Sequence, residues 1–168
     1  MFIFFLSLTI LFGFYFIYEK VQVKEPIVEA IDDIAGVQVE DFKTDNKTIE
    51  IVIHLEDIDN FQETYHAIVN ATEPFKGNRV LDFEFKSNED PQILNAWNSS
   101  YFYIAEAVAK HEYSLIPDKM TQMKKELLLD KINYSMDENN IFVDLHKGDK
   151  AQYFIIKRLQ EVGDHDLS

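Results

Sequence analysis

The sequence predicts an α+β protein: an N-terminal transmembrane helix, then a compact domain in which a mostly antiparallel sheet is packed by helices. Three observations predict it. The first eighteen residues carry no charged side chain. The remainder alternates segments of helical and of strand period. The clearest strands have one apolar and one polar face, as antiparallel strands half in water do. The predicted element order is α-β-β-α-β-α-α-β-β-β.

The opening run, MFIFFLSLTILFGFYFIYEK, meets its first charge at Glu19, and Ser7, Thr9 and Gly13 are its only interruptions before that. Hydrocarbon cannot solvate charge, and a helix satisfies its own backbone groups. Eighteen residues at about 1.5 Å each give roughly 27 Å, near the short end of a bilayer span. Phe14, Tyr15, Phe16 and Tyr18 crowd the end of the run, where rings favour the headgroup level. No Lys or Arg precedes the run, as a cleavable secretory peptide requires, so residues 1–18 are expected to be an uncleaved anchor with membrane lipid as partner. Lys20 and Lys24 follow it, which leans the rest of a single-pass cell-membrane protein toward the cytoplasm; the opposite orientation stays open. Residues 19–26 then read as a juxtamembrane linker, 27–160 as the α+β domain (divisible at 27–88 and 89–160), and 161–168 as a flexible tail.

Composition narrows the function classes. The formal net charge is −14, which repels phosphate backbones and disfavours nucleic acid as a partner. With no cysteine, disulfides, thiolate catalysis and Cys-ligated zinc are excluded. The 46% hydrophobic content suffices for a real core.

Pro26 starts the first helix, Ile27, Ala30, Ile31 and Ile34 recur at helical spacing, and Gly36 is placed to end it. VQVEDF and TIEIVIHLE form a hairpin across the polar KTDNK turn. In the second strand Ile49, Ile51, Ile53 and Leu55 face one way. Asn60 followed by Glu63 resembles a capping box for a helix with Phe61, Tyr65, Ile68 and Val69 as its stripe. RVLDFEFKS alternates again, with Leu81, Phe83 and Phe85 inward. Asp90 and Pro91 start a long helix to about Tyr113, with Ile93, Trp97, Tyr101, Ile104, Ala105 and Val108 inward. SLIPD breaks it, and a second helix follows with Met120, Met123, Leu127 and Leu128 as its apolar side. KINYS, NIFVDLH and AQYFIIKRL close the domain as strands.

Residues 27–87, with the hydrophobic-Gly-Val junction in DIAGVQV, resemble in element order the ring-building modules of membrane-anchored bacterial secretion and sporulation assemblies. That resemblance implies a bacterial assembly role beside a membrane. The elements after Asp90 depart from the pattern.

No catalytic, metal or nucleotide motif stands out, so no catalytic residue and no cofactor is assigned. His54 shares a strand face with Glu56, and His146 with Asp144. Asp82 would join them on neighbouring strands, and imidazole with carboxylates suits a divalent cation. Solvated strand faces explain the same residues in so acidic a chain, so these five are weak metal candidates. Ser99 and Ser100 lie without a nucleophile elbow and read as a polar helical face. Two surfaces suit partners: the rings Trp97, Tyr101 and Phe102, and the basic residues Lys119, Lys124 and Lys125. The first functional reading is a non-enzymatic interaction or assembly module at a membrane, binding another protein or its own copy. The alternatives are a membrane-tethered sensor of a small ligand or divalent metal, and a small hydrolase built on His54 or His146.

Overall fold

The computed structural model describes residues 20–159. The anchor expected over 1–18 and the tail expected over 161–168 lie outside the described residues. Among the described residues, no helix is long and apolar enough to cross a membrane. After one π-helical turn at Lys20–Lys24, the elements are α1 (Glu25–Asp32), β1 (Val37–Thr44), β2 (Thr48–Leu55), α2 (Phe61–Thr72), β3 (Val80–Lys86), α3 (Pro91–Ala109), α4 (Ile116–Leu127), β4 (Lys131–Met136), β5 (Asn140–Lys147) and β6 (Lys150–Lys157). This is an α+β chain in the predicted element order. It has two three-stranded sheets, β1-β2-β3 and β4-β5-β6, where a single sheet was expected. The chain divides into two compact units between Phe85 and Lys86. The physical reason is connectivity: β4, β5 and β6 follow one another through short turns and pair as a meander, leaving the earlier strands to pair among themselves.

In the first unit, β2 is the central strand. Ile49, Ile51, Ile53 and Leu55 are at most 1% exposed, as the alternation predicts. Burying each contributes about 1.5–3 kcal/mol of gross hydrophobic free energy. Ile27 and Ile31 of α1 and Phe61 and Ile68 of α2 are also buried. The β1–β2 register shifts between Val39 and Asp41, leaving Glu40 as a bulge. The bulge explains a spacing in the sequence: Val37 and Phe42 are both buried although an odd number of steps separates them. The Val80 N–H donates to the Lys47 carbonyl oxygen (2.8 Å), so β3 begins beside the start of β2, a parallel pair joined through the α2 crossover.

In the second unit, β4-β5-β6 is an antiparallel meander. Ile141, Val143 and Leu145 of β5 share one core with Ile93, Trp97 and Ile104 of α3 and Met120 and Met123 of α4. The Trp97 ring stacks on Phe154 of β6 with centroids 3.9 Å apart and planes within 9°.

Local chemistry fixes the helix ends. The Asn60 side chain accepts from the Glu63 N–H (3.3 Å), the cap expected for α2. Asp90 accepts from the Gln92 N–H (2.7 Å) and starts α3. α3 stops at Ala109, before the expected end near Tyr113. There His111 takes a left-handed conformation (φ 57°), while the Glu112 N–H bonds the Ala107 carbonyl and the His111 N–H bonds that of Val108. That is a complete Schellman end built on histidine rather than glycine. α4 also ends on a left-handed residue, Leu128 (φ 52°), with the Leu129 N–H on the Lys124 carbonyl. The turn rotates Leu128 into solvent (79% exposed) and buries Leu129, correcting the expected inward place of Leu128. Gly36 does not cap α1, whose C-cap is Asp33. It sits at φ 75° in the turn before β1, where an added Cβ would collide with the Glu56 carbonyl oxygen.

Candidate interaction surface

α3 is nineteen residues long, and Glu106 is its only charged side chain. In a chain where 27% of residues are charged, such a helix is unusual. One side is dictated by packing: Ile93, Trp97, Ser100, Ile104, Ala107 and Val108 are buried. The small Ser100 and Ala107 take inward positions that the sequence reading gave to Tyr101 and Ala105. The opposite side is dictated by nothing inside the molecule, yet it sets large apolar side chains among its polar ones. Phe102 is 81% exposed, Tyr101 46% and Leu94 37%. Asn95 and Asn98 are exposed between them, and Ala105 is half-buried.

The single charge on α3 is locally cancelled. The Lys110 ammonium lies 2.5 Å from the Glu106 carboxylate, one turn on. The hydrogen bond and the attraction of Lys110 hold the Glu106 carboxyl below its ordinary value and raise the Lys110 amine. The outer face of α3 therefore carries rings, amides and methyl groups and no net charge. Surface rings of this kind, clustered on one element, favour contact with another surface.

The predicted partner residues separate. Trp97 is 5% exposed and belongs to the core, so it is removed from the surface. Tyr101 and Phe102 remain on it. Lys124 and Lys125 are exposed on α4, and Lys119 sits half-buried with its ammonium 5.9 Å from the centre of the Tyr103 ring. Lys119 also lies 3.5 Å from the Gln122 amide oxygen, so it serves a mixed polar face.

The five metal candidates separate too. His54 and Glu56 line an open cleft of about 420 Å³ in the first unit, with Asp32, Asp33, Gly36 and Gln38. His54 Nδ1 lies 3.2 Å from a Glu40 carboxylate oxygen, so the bulge supplies it with an acidic neighbour. Asp32 is engaged as well, accepting from the Val39 N–H (3.0 Å). Asp82 lines a different depression of about 110 Å³ with Asp41, Lys43, Glu50 and Glu84. Asp144 and His146 belong to the second unit and do meet: His146 Nε2 is 2.9 Å from an Asp144 oxygen, and the Asn133 amide donates to that oxygen at 2.7 Å. Asp144 is 5% exposed, and a carboxylate that buried needs such partners. Among the described residues, His146 hydrogen-bonds no hydroxyl, and no three His, Asp or Glu side chains converge in a metal-holding group.

Other residues take structural roles. The Ser99 hydroxyl donates to the Asn95 carbonyl (2.9 Å), and Ser100 is 6% exposed in the core, so the expected polar face does not include it. The exposed apolar face itself was readable in part. A nineteen-residue helix with a single charged side chain in an acidic chain is its signal, and Leu94 and Asn98 were the residues that reading missed.

Comparison of the chain with protein-family models, with curated proteins and with solved structures finds no match. The likeness to ring-building modules therefore rests on element order and the DIAGVQV junction alone.

Proposed function

We propose that this protein is a non-enzymatic interaction module held at a cell membrane through residues 1–18, with the domain leaning toward the cytoplasm, and that α3 carries its protein contact. The observation behind this reading is the outer face of α3, which exposes Phe102, Tyr101 and Leu94 and whose one charge is cancelled by Lys110. Folding does not require rings there, and solubility opposes them. A partner surface accounts for both. Attachment to a bilayer raises the effective concentration of the domain, so a small contact suffices.

A photo-crosslinking residue placed at Phe102 of the full-length chain tests the reading in native membranes, with the same residue at Lys125 on the outer side of α4 as control. The expected result is a discrete adduct from position 102 and background from position 125. Equal background from both positions overturns the proposal. Fractionation of the same membranes tests the anchor. Full-length chain that washes off without detergent removes the membrane part of the reading.

A further inference from the structure

We propose that the outer edge of β4 is a binding site separate from the α3 face, and that it takes an extended, basic segment of another protein as an added strand. An edge strand leaves a row of backbone N–H and C=O groups without a neighbour, and folded proteins blunt such rows with charges, bulges or cover. The two sheets have four edge strands, β1, β3, β4 and β6. β1 carries the bulge at Glu40, with Asp41 and Lys43 beside it. β3 sets Asp82, Glu84 and Lys86 along its length. β6 is covered: none of Lys150–Ile156 is exposed, and Ala151 has its N–H on the Asn88 carbonyl (3.1 Å) and its carbonyl on the Ser87 hydroxyl. β4 has none of these devices. Its register with β5 is unbroken from Lys131 to Met136, and after Lys131 it holds no charged side chain and no proline.

The hairpin shows which groups face outward. The Asp137 N–H donates to the Asn140 carbonyl (3.0 Å), so those two residues form a hydrogen-bonded pair. Bonded and non-bonded pairs alternate along an antiparallel ladder. Ile132, Tyr134 and Met136 therefore turn their N–H and C=O groups away from β5, and among the described residues no hydrogen bond reaches these groups. Their side chains lie on the core side of the sheet, Tyr134 opposite Val143 and Met136 opposite Ile141. Yet Tyr134 is 43% exposed and Met136 48%. The cover of the core stops short of them, and an added strand sets its alternate side chains beside both.

These features specify the occupant. A row of outward backbone groups is matched by an extended backbone. The open sides of Tyr134 and Met136 call for apolar side chains at alternate positions of that segment. Charge calls for basic ones between or beyond them, since residues 130–138 hold Asp130, Asp137 and Glu138 against Lys131 alone. A second copy fits less well. Paired antiparallel about the middle of β4, it sets Asp130 opposite Asp137, and like charges directly opposite are destabilising.

The test is fluorescence anisotropy on the full-length chain in detergent micelles. The probe is a labelled peptide of about eight residues, alternating valine and threonine between terminal lysines. Saturable binding is expected. It is expected to weaken about tenfold or more when the peptide nitrogens are methylated, which removes every backbone donor, and by a smaller factor when glutamate replaces both lysines. Tyr134→Pro removes one outward donor and leaves the β5 ladder alone, and Tyr134→Lys adds a charge without altering the backbone; both are expected to weaken binding, while Phe102→Asp leaves it unchanged. Undiminished binding of the methylated peptide, undiminished binding by both Tyr134 variants, or no binding at millimolar peptide overturns the proposal. A loss with Phe102→Asp equal to that with Tyr134→Lys moves the peptide to the α3 face and overturns it too. Light scattering that shows a dimer, dissolved by Tyr134→Lys, puts a second copy on the edge and overturns the foreign segment.

Discussion

α3 and α4 lie in the same unit and bury their inner faces in the same core, but their outer faces differ. Over twelve residues α4 carries Asp118, Lys119, Lys124, Lys125 and Glu126, while α3 carries Glu106 alone over nineteen. The inner faces match because a core imposes the same demand on each: Ile93, Trp97 and Ile104 on one helix, Ile116, Met120 and Met123 on the other. The outer faces are free of that demand, so their chemistry records what else the helix must meet. α4 meets water. α3 exposes Phe102 and Tyr101, which water does not favour.

The largest expected effect sharpens the contrast within α3 itself. Trp97→Ala removes a buried ring stacked on Phe154 and is expected to cost about 3–5 kcal/mol, while Phe102→Ala is expected to stay within about 0.5 kcal/mol. Denaturant unfolding of the two variants reads the difference. Equal losses would mean that both faces of α3 serve the fold.

A second test moves to the first unit. Gly36→Ala introduces a methyl group against the Glu56 carbonyl and 3.0 Å from Ile58 Cγ2, at a backbone angle that L-residues avoid. A loss of about 2–3 kcal/mol is expected in the same assay. A neutral result would remove the close approach of the α1–β1 turn to the end of β2.

Leu128 offers a gain. It holds a left-handed conformation at the end of α4 with its side chain 79% exposed, so nothing offsets the backbone cost. Leu128→Gly is expected to stabilise the chain by about 1 kcal/mol, read as a raised melting temperature. A lowered one would show that the exposed leucine makes a contact worth keeping.

The smallest effect is a pH dependence. Asp45 accepts from the Lys47 and Thr48 N–H groups (both 2.7 Å) in the β1–β2 turn, and these bonds hold its carboxyl below the ordinary 3.8. Its folded value is depressed, so its contribution is present above pH 3.8 and is lost as pH falls through the lowered value. Asp45→Ala should therefore melt below the parent at neutral pH, with the gap closing in acid. A gap that persists in acid would assign the effect to turn conformation rather than to the carboxylate.

The sequence made local features legible and non-local ones much less so. The alternation in β2 and the Asn60 cap of α2 depend on neighbours a few residues away, and both can be read directly from the chain. The split into two sheets depends on which strands pair across the chain, and strand period carries no such information. The bulge at Glu40 left a trace in the spacing of Val37, Val39 and Phe42, but the trace is legible only once the register is known. On α3 the periodicity was ambiguous because apolar residues surround much of the helix. Ser100 and Ala107 point inward, against the expectation that the larger Tyr101 would. The same ambiguity hid the outward place of Leu94 and Asn98. The metal candidates were chosen by shared strand faces, and only Asp144 with His146 proved to be in contact.

The claim that the outer face of α3 is a contact surface is tested most directly by adduct yield from a photo-probe at Asn98 in native membranes, with and without Phe102→Asp. The expected result is a discrete adduct in the parent and at least a tenfold fall in its yield when Phe102 becomes charged. An adduct whose yield is unchanged by the charge, or the absence of any adduct in the parent, would contradict the claim.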